Sequence, residues 1–198
     1  MNDPIAFATL LIHLNKEISF SPEDLEKCKP FFKIIRARQG EFIIKPGVNV
    51  HEQYFIVEGC VRVYHHDLEN DREYTLLFGI EEWWISDFIA YHLDLSSRLY
   101  VECTHPSTLI SISKNDLHAL YKMVPAFESY FRRKLERAFA FNHQRILSLQ
   151  KDSGEQRYLD FIHQYPNIEQ RVKNYQIASY LGIAPESLSR IRNQLAKK

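Results

Sequence analysis

The feature that most limits what this chain can fold into is a change of hydrophobic rhythm partway along it. From about Phe32 to Ser113 the apolar residues come in short runs rich in Val, Ile, Phe and Tyr: Phe42-Ile43-Ile44, Tyr54-Phe55-Ile56-Val57, Val61-Arg62-Val63-Tyr64, Tyr74-Thr75-Leu76-Leu77-Phe78, Leu99-Tyr100-Val101 and Leu109-Ile110-Ser111-Ile112. Turn formers separate them: Gly40, Pro46-Gly47, Glu58-Gly59, Glu69-Asn70-Asp71 and Pro106. Runs of this length and spacing predict the strands of a sandwich or barrel, and roughly eight of them would make a jelly roll. On either side the apolar residues fall instead at three- and four-residue steps, the mark of helices packed on one face. The expected class is therefore α+β.

The first stretch, to about residue 30, predicts helix, with a stripe through Phe7, Leu10, Leu11 and Leu14. Ser21-Pro22-Glu23-Asp24 predicts a helix start, because Ser caps, Pro suits the first helical position and acids favour the first turn. After Pro125 a long helix is expected to about Gln150, and two of its faces are partly apolar. One face is expected to dock on the barrel. The other, with Leu135, Ala138 and Asn142, is expected to pair with a second copy, where a buried Asn would set register. Asp152-Ser153-Gly154 is the expected boundary. This divides the chain into 1–125, a jelly roll with flanking helices; 126–151, a dimerisation helix; and 152–198, a C-terminal helical domain.

Several classes of function are disfavoured. No apolar run approaches the ~20 residues of a membrane span. Met1-Asn2-Asp3-Pro4 lacks the basic start and long apolar stretch of a secretion signal, so the protein is read as cytoplasmic with no membrane partner. The three cysteines, Cys28, Cys60 and Cys103, are odd in number and far apart, which suits neither a disulfide framework nor a four-ligand zinc or iron–sulfur site. His65-His66 with Glu69 offers imidazole beside carboxylate, the ligand set of a barrel metalloenzyme. Adjacent strand residues point to opposite faces, however, so the two histidines are poorly placed to share one ion. We expect no metal and no catalytic residues.

Net charge is zero, but its distribution is uneven. From Arg171 to Lys198 there are six basic residues (Arg171, Lys173, Arg190, Arg192, Lys197, Lys198) and one acid, Glu186, so this end carries +5 and the remainder −5. An anionic partner is expected at that end.

The same segment has the most specific pattern in the chain. Counting Asn174 as position 1, the residues Ile177, Leu181, Ile183, Leu188 and Ile191 fall at positions 4, 8, 10, 15 and 18. Those are the positions that lock the two helices of a helix-turn-helix together. Ala178 is small where the helices cross, Gly182 supplies the left-handed turn, Asn174 can cap the first helix and Pro185 can open the second. Glu186, Ser189, Arg190 and Asn193 then share the outer face of the second helix, where Arg suits guanine and Glu suits cytosine N4 in the major groove. Lys173, Arg192, Lys197 and Lys198 are assigned to phosphates. A plain helical hairpin with a solvated basic face is the competing reading, and it gives no reason for an Arg and a Glu at the helix tip.

With these motifs in view, the chain resembles the Crp/Fnr regulators over nearly its whole length. The resemblance rests on Gly40-Glu41-Phe42-Ile43-Ile44, Pro46-Gly47, Tyr54 to Val63, Ile177 to Gly182 and Pro185 to Ile191. It implies a cyclic-nucleotide-binding-like jelly-roll sensor domain over 1–125, a dimerisation helix over 126–151 and a helix-turn-helix domain over 152–198; as a departure from many relatives, a full β-wing is expected to be lacking. It also implies base reading at Pro185, Glu186 and Arg190, and a pseudo-palindromic DNA operator bound by a homodimer, with RNA polymerase as a further partner. Ala184 departs from the family's capping Ser or Thr, at a cost of about 1 kcal/mol. In the effector pocket the family's Gly-Glu and Arg-Ser pairs are absent: Ser86-Asp87 follows Trp83-Trp84, and Ser97 stands at the phosphate-Arg position with Arg98 next to it. Strand alternation would turn Arg98 away from the pocket unless a bulge intervenes. The expected effector is therefore not cyclic AMP. Another ligand lined by Trp84, Ser86, Asp87, Ser97 and Arg98 and an empty structural barrel both remain open, and a small-molecule sensor without a DNA-binding role is the runner-up.

Overall fold

The computed structural model describes residues 4–197. Two four-stranded antiparallel sheets form the central body, with strand orders β1-β8-β3-β6 and β2-β7-β4-β5. The strands are β1 (Lys33–Ala37), β2 (Phe42–Ile44), β3 (Glu52–Glu58), β4 (Val61–Asp67), β5 (Arg72–Gly79), β6 (Trp84–Ile85), β7 (Tyr100–Cys103) and β8 (Ser107–Ser113). The fold class is the one expected. The helices are α1 (Pro4–Glu17), α2 (Pro22–Cys28), α3 (Phe88–Leu93), α4 (Lys114–Met123), α5 (Pro125–Lys151), α6 (Gly154–Gln164), α7 (Asn174–Leu181) and α8 (Pro185–Leu195). Strands β1 and β6 and helix α3 are additions to the sequence reading. Strand β1 lies in a lysine- and arginine-flanked run, β6 is only two residues long and α3 only six.

Alternation along the strands distributes the apolar side chains between two cores. Tyr54 and Ile56 of β3, Leu109 of β8, Val61 and Val63 of β4 and Val101 of β7 meet between the sheets. Phe55 of β3 and Ile110 and Ile112 of β8 point the other way, onto Leu10 and Leu14 of α1 and Phe127, Tyr130 and Phe131 of α5. Both faces of β3 are thus covered, which is why its sequence is a continuous apolar run rather than an alternating one. Between β3 and β4, Gly59 has φ +115°, and a Cβ there would lie 2.2 Å from Ser107 Oγ. Only glycine fits that turn. At α2 the expected start is present: Ser21 Oγ accepts from the Asp24 N–H (3.1 Å) and the Asp24 carboxylate accepts from the Ser21 N–H (3.3 Å), a capping box.

The loop between β5 and β6, with the first residue of β6, ties the helices to the barrel through four consecutive residues. Glu81 pairs with Arg171, beyond α6, at 2.8 Å. Glu82, in the left-handed region at φ +68°, pairs with Lys16 (2.6 Å) and lies 3.2 Å from His13 Nδ1. Trp83 packs its ring against Phe141 of α5 and Tyr165 after α6. The Trp84 Nε1–H donates to Tyr130 Oη at 2.8 Å, and its ring lies against Phe55 and Phe131. Glu17 of α1 completes the junction with Lys134 (3.0 Å) and Arg137 (2.6 Å) of α5.

His13 sits inside this junction, between the Phe55 and Tyr130 rings. Burial and the nearby Lys134 ammonium hold its pKa below the ordinary 6.5, against the opposing pull of Glu82 and Glu17. Below about pH 6.5 the unfolded chain therefore binds a proton that the folded chain resists, and stability falls as pH falls. The melting temperature is expected to rise between about pH 5 and pH 7.5, with a shallower rise in His13→Asn. Equal slopes for the two proteins, followed by differential scanning calorimetry, would contradict this placement of His13.

Candidate functional site

The C-terminal helices build a helix-turn-helix from the expected positions. Ile177, Ala178, Leu181, Leu188 and Ile191 are buried together with Tyr158 and Phe161 of α6, and Ile183 is half-buried against them. Gly182 has φ +66°, its N–H donates to the Ser179 carbonyl (3.2 Å), and the Ile183 N–H returns to the Ala178 carbonyl (3.1 Å). This closes α7 and reverses the chain in two residues. Pro185 is the first residue of α8, and Ala184 caps it without a side-chain bond, as its identity requires.

With Leu188 and Ile191 inward, Glu186, Ser189, Arg190 and Asn193 lie exposed along the outer face of α8. Ser189 Oγ donates back to the Pro185 carbonyl (3.1 Å) and accepts from Asn174 Nδ2 (3.4 Å), so its hydroxyl is partly committed. Lys173 and Lys197 are exposed as well, and Lys198 lies outside the described residues.

Three assignments change. Lys173, not Asn174, is the N-cap of α7. Gln176 Oε1 accepts from the Lys173 N–H at 2.9 Å, leaving Asn174 free to bond α8. Arg192 turns inward, donating to Asn174 Oδ1 (2.8 Å) and pairing with Glu169, so its charge braces the domain and it leaves the phosphate set. Arg171 is likewise internal. It bonds Glu81 and the Gly59 carbonyl, and its guanidinium helps hold the Glu81 carboxyl below the usual range despite burial. Of the basic excess, Lys173, Arg190 and Lys197 face outward among the described residues.

The helix pair does not stand apart from the barrel. Strand β5 ends its sheet, and an edge strand presents unpaired N–H and C=O groups. Helix α7 covers that edge. Ser179 Oγ accepts from the Thr75 N–H (2.9 Å) and donates to the Glu73 carbonyl (2.7 Å). Arg145 of α5 reaches the Thr75 carbonyl (3.3 Å) and the Tyr180 carbonyl (3.1 Å). Behind the edge, the fully buried Arg62 donates to Thr75 Oγ1 and Glu73, and stacks 4.1 Å from the Tyr64 ring. The sequence pattern gives Ser179 no role of its own. Nothing in a lone hydroxyl between Ala178 and Tyr180 marks the edge it will meet.

On α5, Phe127, Tyr130 and Phe131 are buried, whereas Leu135 (46% exposed), Phe139 (64%), Ile146 (53%) and Leu149 (39%) form an open stripe. Ala138 and Asn142 are exposed on the same helix. The Gly182 turn approaches Leu149 at one end of the stripe, while Phe139 and Ile146 stay more than half exposed.

In the barrel, a cavity of about 690 Å³ is lined by Asp87, Ser97, Arg98, Ala90, Ile89 and neighbours. Asp87, Ser97 and Arg98 come together there as expected. Trp84 and Ser86 do not line it: Trp84 faces the α1–α5 core, and the buried Ser86 Oγ donates to the Glu52 carbonyl (2.8 Å). The alternation argument against Arg98 also fails. Residues 97 and 98 precede β7 in irregular backbone, and both reach the cavity. Asp87 caps α3 by accepting from the Ile89 and Ala90 N–H groups (3.1 Å each), and it takes a third bond from Ser97 Oγ (2.8 Å).

His65 and His66 go to separate partners, the Arg98 carbonyl (3.2 Å) and Asp71 (2.9 Å). All three cysteines are buried free thiols. Burial pushes Cys28 up to about 12, and Cys60 and Cys103 up to about 11. Among the described residues no helix is long and apolar enough to cross a membrane.

No family model matches this chain, and no curated protein matches it. Solved structures do. The chain is similar to FixK2 from Bradyrhizobium japonicum (TM-score 0.72, 17% identity, 84% of this chain and 85% of that one). It is also similar to the c-di-GMP-responsive global regulator CLP of Xanthomonas campestris (TM-score 0.70, 14% identity, 89% and 92%). A mutant of CooA from Carboxydothermus hydrogenoformans matches with TM-score 0.70 and 18% identity over 94% of this chain and 84% of that one. These neighbours are Crp/Fnr regulators, so the resemblance read from the motifs holds at the level of fold.

The docking at β5 has a measurable consequence. Ser179→Ala removes both the acceptor of the Thr75 N–H and a donor to the Glu73 carbonyl, which should cost about 1–3 kcal/mol in urea unfolding. The Thr75 amide should also lose protection from hydrogen exchange. Unchanged protection at Thr75 would show that α7 does not close this edge in solution.

Proposed function

We propose that the chain is a homodimeric, sequence-specific DNA-binding transcription regulator of the Crp/Fnr type. The observation that carries this reading is α8. It is held by Leu188 and Ile191 against α7, and it presents Glu186, Arg190 and Asn193 outward from the end at which it begins. A helix so mounted fits a B-DNA major groove, Arg190 can bond guanine O6 and N7 in a bidentate manner, and Glu186 can accept from cytosine N4. Pro185 stands at the same tip. Lys173 and Lys197 lie at the flanks, where phosphates run. The open stripe Leu135, Phe139, Ile146 and Leu149 on α5 supports pairing with a second copy, and two such helix pairs would read a pseudo-palindromic operator. RNA polymerase is the partner such a bound dimer would address.

The effector in this reading is not cyclic AMP. The Ile89, Ala90 and Ser97 donors in the cavity are already taken by the Asp87 carboxylate, and Ser97 stands where the family's phosphate Arg would be, so a cyclic phosphate finds no guanidinium at that position.

Three variants test the proposal. Arg190→Ala should weaken operator binding by about 1–3 kcal/mol and relax preference at one base pair per half-site. Lys197→Ala should weaken operator and scrambled DNA alike and lower the salt slope by about 0.9 for each phosphate it ceases to neutralise. Equal losses on both DNAs for Arg190→Ala would mean that α8 does not read bases. Phe139→Glu, which places a charge in the open stripe of α5, should give monomers by light scattering and abolish operator binding. A monomer for the unmutated protein at micromolar concentration would refute the dimer.

A further inference from the structure

The barrel cavity is unlike a phosphate site, and its polarity runs the other way. Its inner end holds an anion of the protein's own, Asp87, which is buried and bonded by two backbone N–H groups and a hydroxyl. Beyond Asp87, Ser96 and Ser97 the lining is apolar: Ile89, Ala90, Leu95 and Leu99. The outer end carries Arg98, exposed and with no carboxylate partner among the described residues, and His65, whose Nδ1 contacts the Arg98 carbonyl. Of the apolar lining residues, Ile89 is 63% exposed and Leu95 51% exposed. A patch of that kind around a cavity marks a surface that something apolar covers.

We propose that this cavity takes an apolar monocarboxylate, with the chain against Ile89, Ala90, Leu95 and Leu99 and the carboxylate at the rim on the Arg98 guanidinium. The volume, about 690 Å³, lies in the usual range for small-molecule pockets. The direction of entry follows from charge. An anionic head at the inner end would face Asp87 with no donor left to separate them, whereas at the rim it meets a fork of guanidinium donors. A cationic head is disfavoured at the rim by Arg98. At the inner end it would have to compete with three bonds already made to Asp87. The inference deepens the reading of the barrel as the sensor of a regulator, and it rests on that reading only for its link to DNA.

The test is calorimetric titration of the full-length protein with decanoate, decanol and decylamine below their micelle concentrations, with cyclic AMP as a further ligand. Decanoate should bind saturably, about tenfold or more tighter than decanol, and decylamine and cyclic AMP should give no saturable binding. Arg98→Gln should reduce decanoate to the affinity of decanol and leave decanol unchanged. Ala90→Leu, which fills the cavity, should weaken both, and circular dichroism melts establish that each variant is folded. No saturable decanoate binding, or decanoate binding unaffected by Arg98→Gln, would overturn the proposal, as would a preference for decylamine. Operator binding is measured separately in the absence of ligand, so failure of the ligand assignment and failure of the DNA-binding reading are seen in different experiments.

Discussion

The arrangement of this protein depends on how one open sheet edge is closed. Antiparallel sheets satisfy their interior strands by pairing, and the last strand is left with a row of unpaired groups that water or another segment must take. Here β5 is that strand, and the segment that takes it is the first helix of the helix-turn-helix. One hydroxyl, Ser179, serves an N–H and a C=O of β5 at once, and Arg145 reaches from α5 to the Thr75 carbonyl beside them. Buried polar groups cost about 1–3 kcal/mol each when left unmade, so the edge selects a partner in addition to the packing of Phe78 of β5 on the Phe161, Tyr165 and Tyr180 rings. The outward-facing helix α8 is thereby referenced to the barrel through α7, rather than swinging on the short link at Asp152-Ser153.

The same economy of partners appears in the loop Glu81-Glu82-Trp83-Trp84. By charge Glu81 engages Arg171 beyond α6 and Glu82 engages α1, while by ring packing Trp83 and Trp84 both engage α5. A shift of α5 would be felt at Trp84 and Trp83, and a shift of the C-terminal domain at Glu81. The loop leads directly into β6 and Asp87, so the cavity and the helices share a short, continuous piece of chain. Cavity, open α5 stripe and helix-turn-helix are thus mechanically adjacent although they are separated in sequence.

Much of this is legible in the sequence. The strand runs, the Ser21 start, the break at Asp152-Ser153 and the spacing from Ile177 to Ile191 each follow from local rules, because periodicity and caps are properties of neighbouring residues. What escapes is tertiary. Arg192 and Arg171 look like free cations in sequence, and only the fold brings Glu169 and Glu81 to them. Trp84 pairs with Phe55 across β6 and β3, and so belongs to the helix-facing core rather than to the cavity. Arg98 reaches the cavity because the chain before β7 is irregular, which alternation cannot foresee. Strand β6 is two residues long and α3 six, too short for any period to register.

Whether α8 reads DNA bases in a two-fold arrangement is decided by selecting bound fragments from a pool of random duplexes and sequencing them. An enriched inverted repeat is expected, its half-sites about one helical turn, 10–10.5 base pairs, apart or a multiple of it, each with a recurrent G·C pair for Arg190. Recovery of fragments with no shared sequence, retained only at low salt, would contradict this reading of α8.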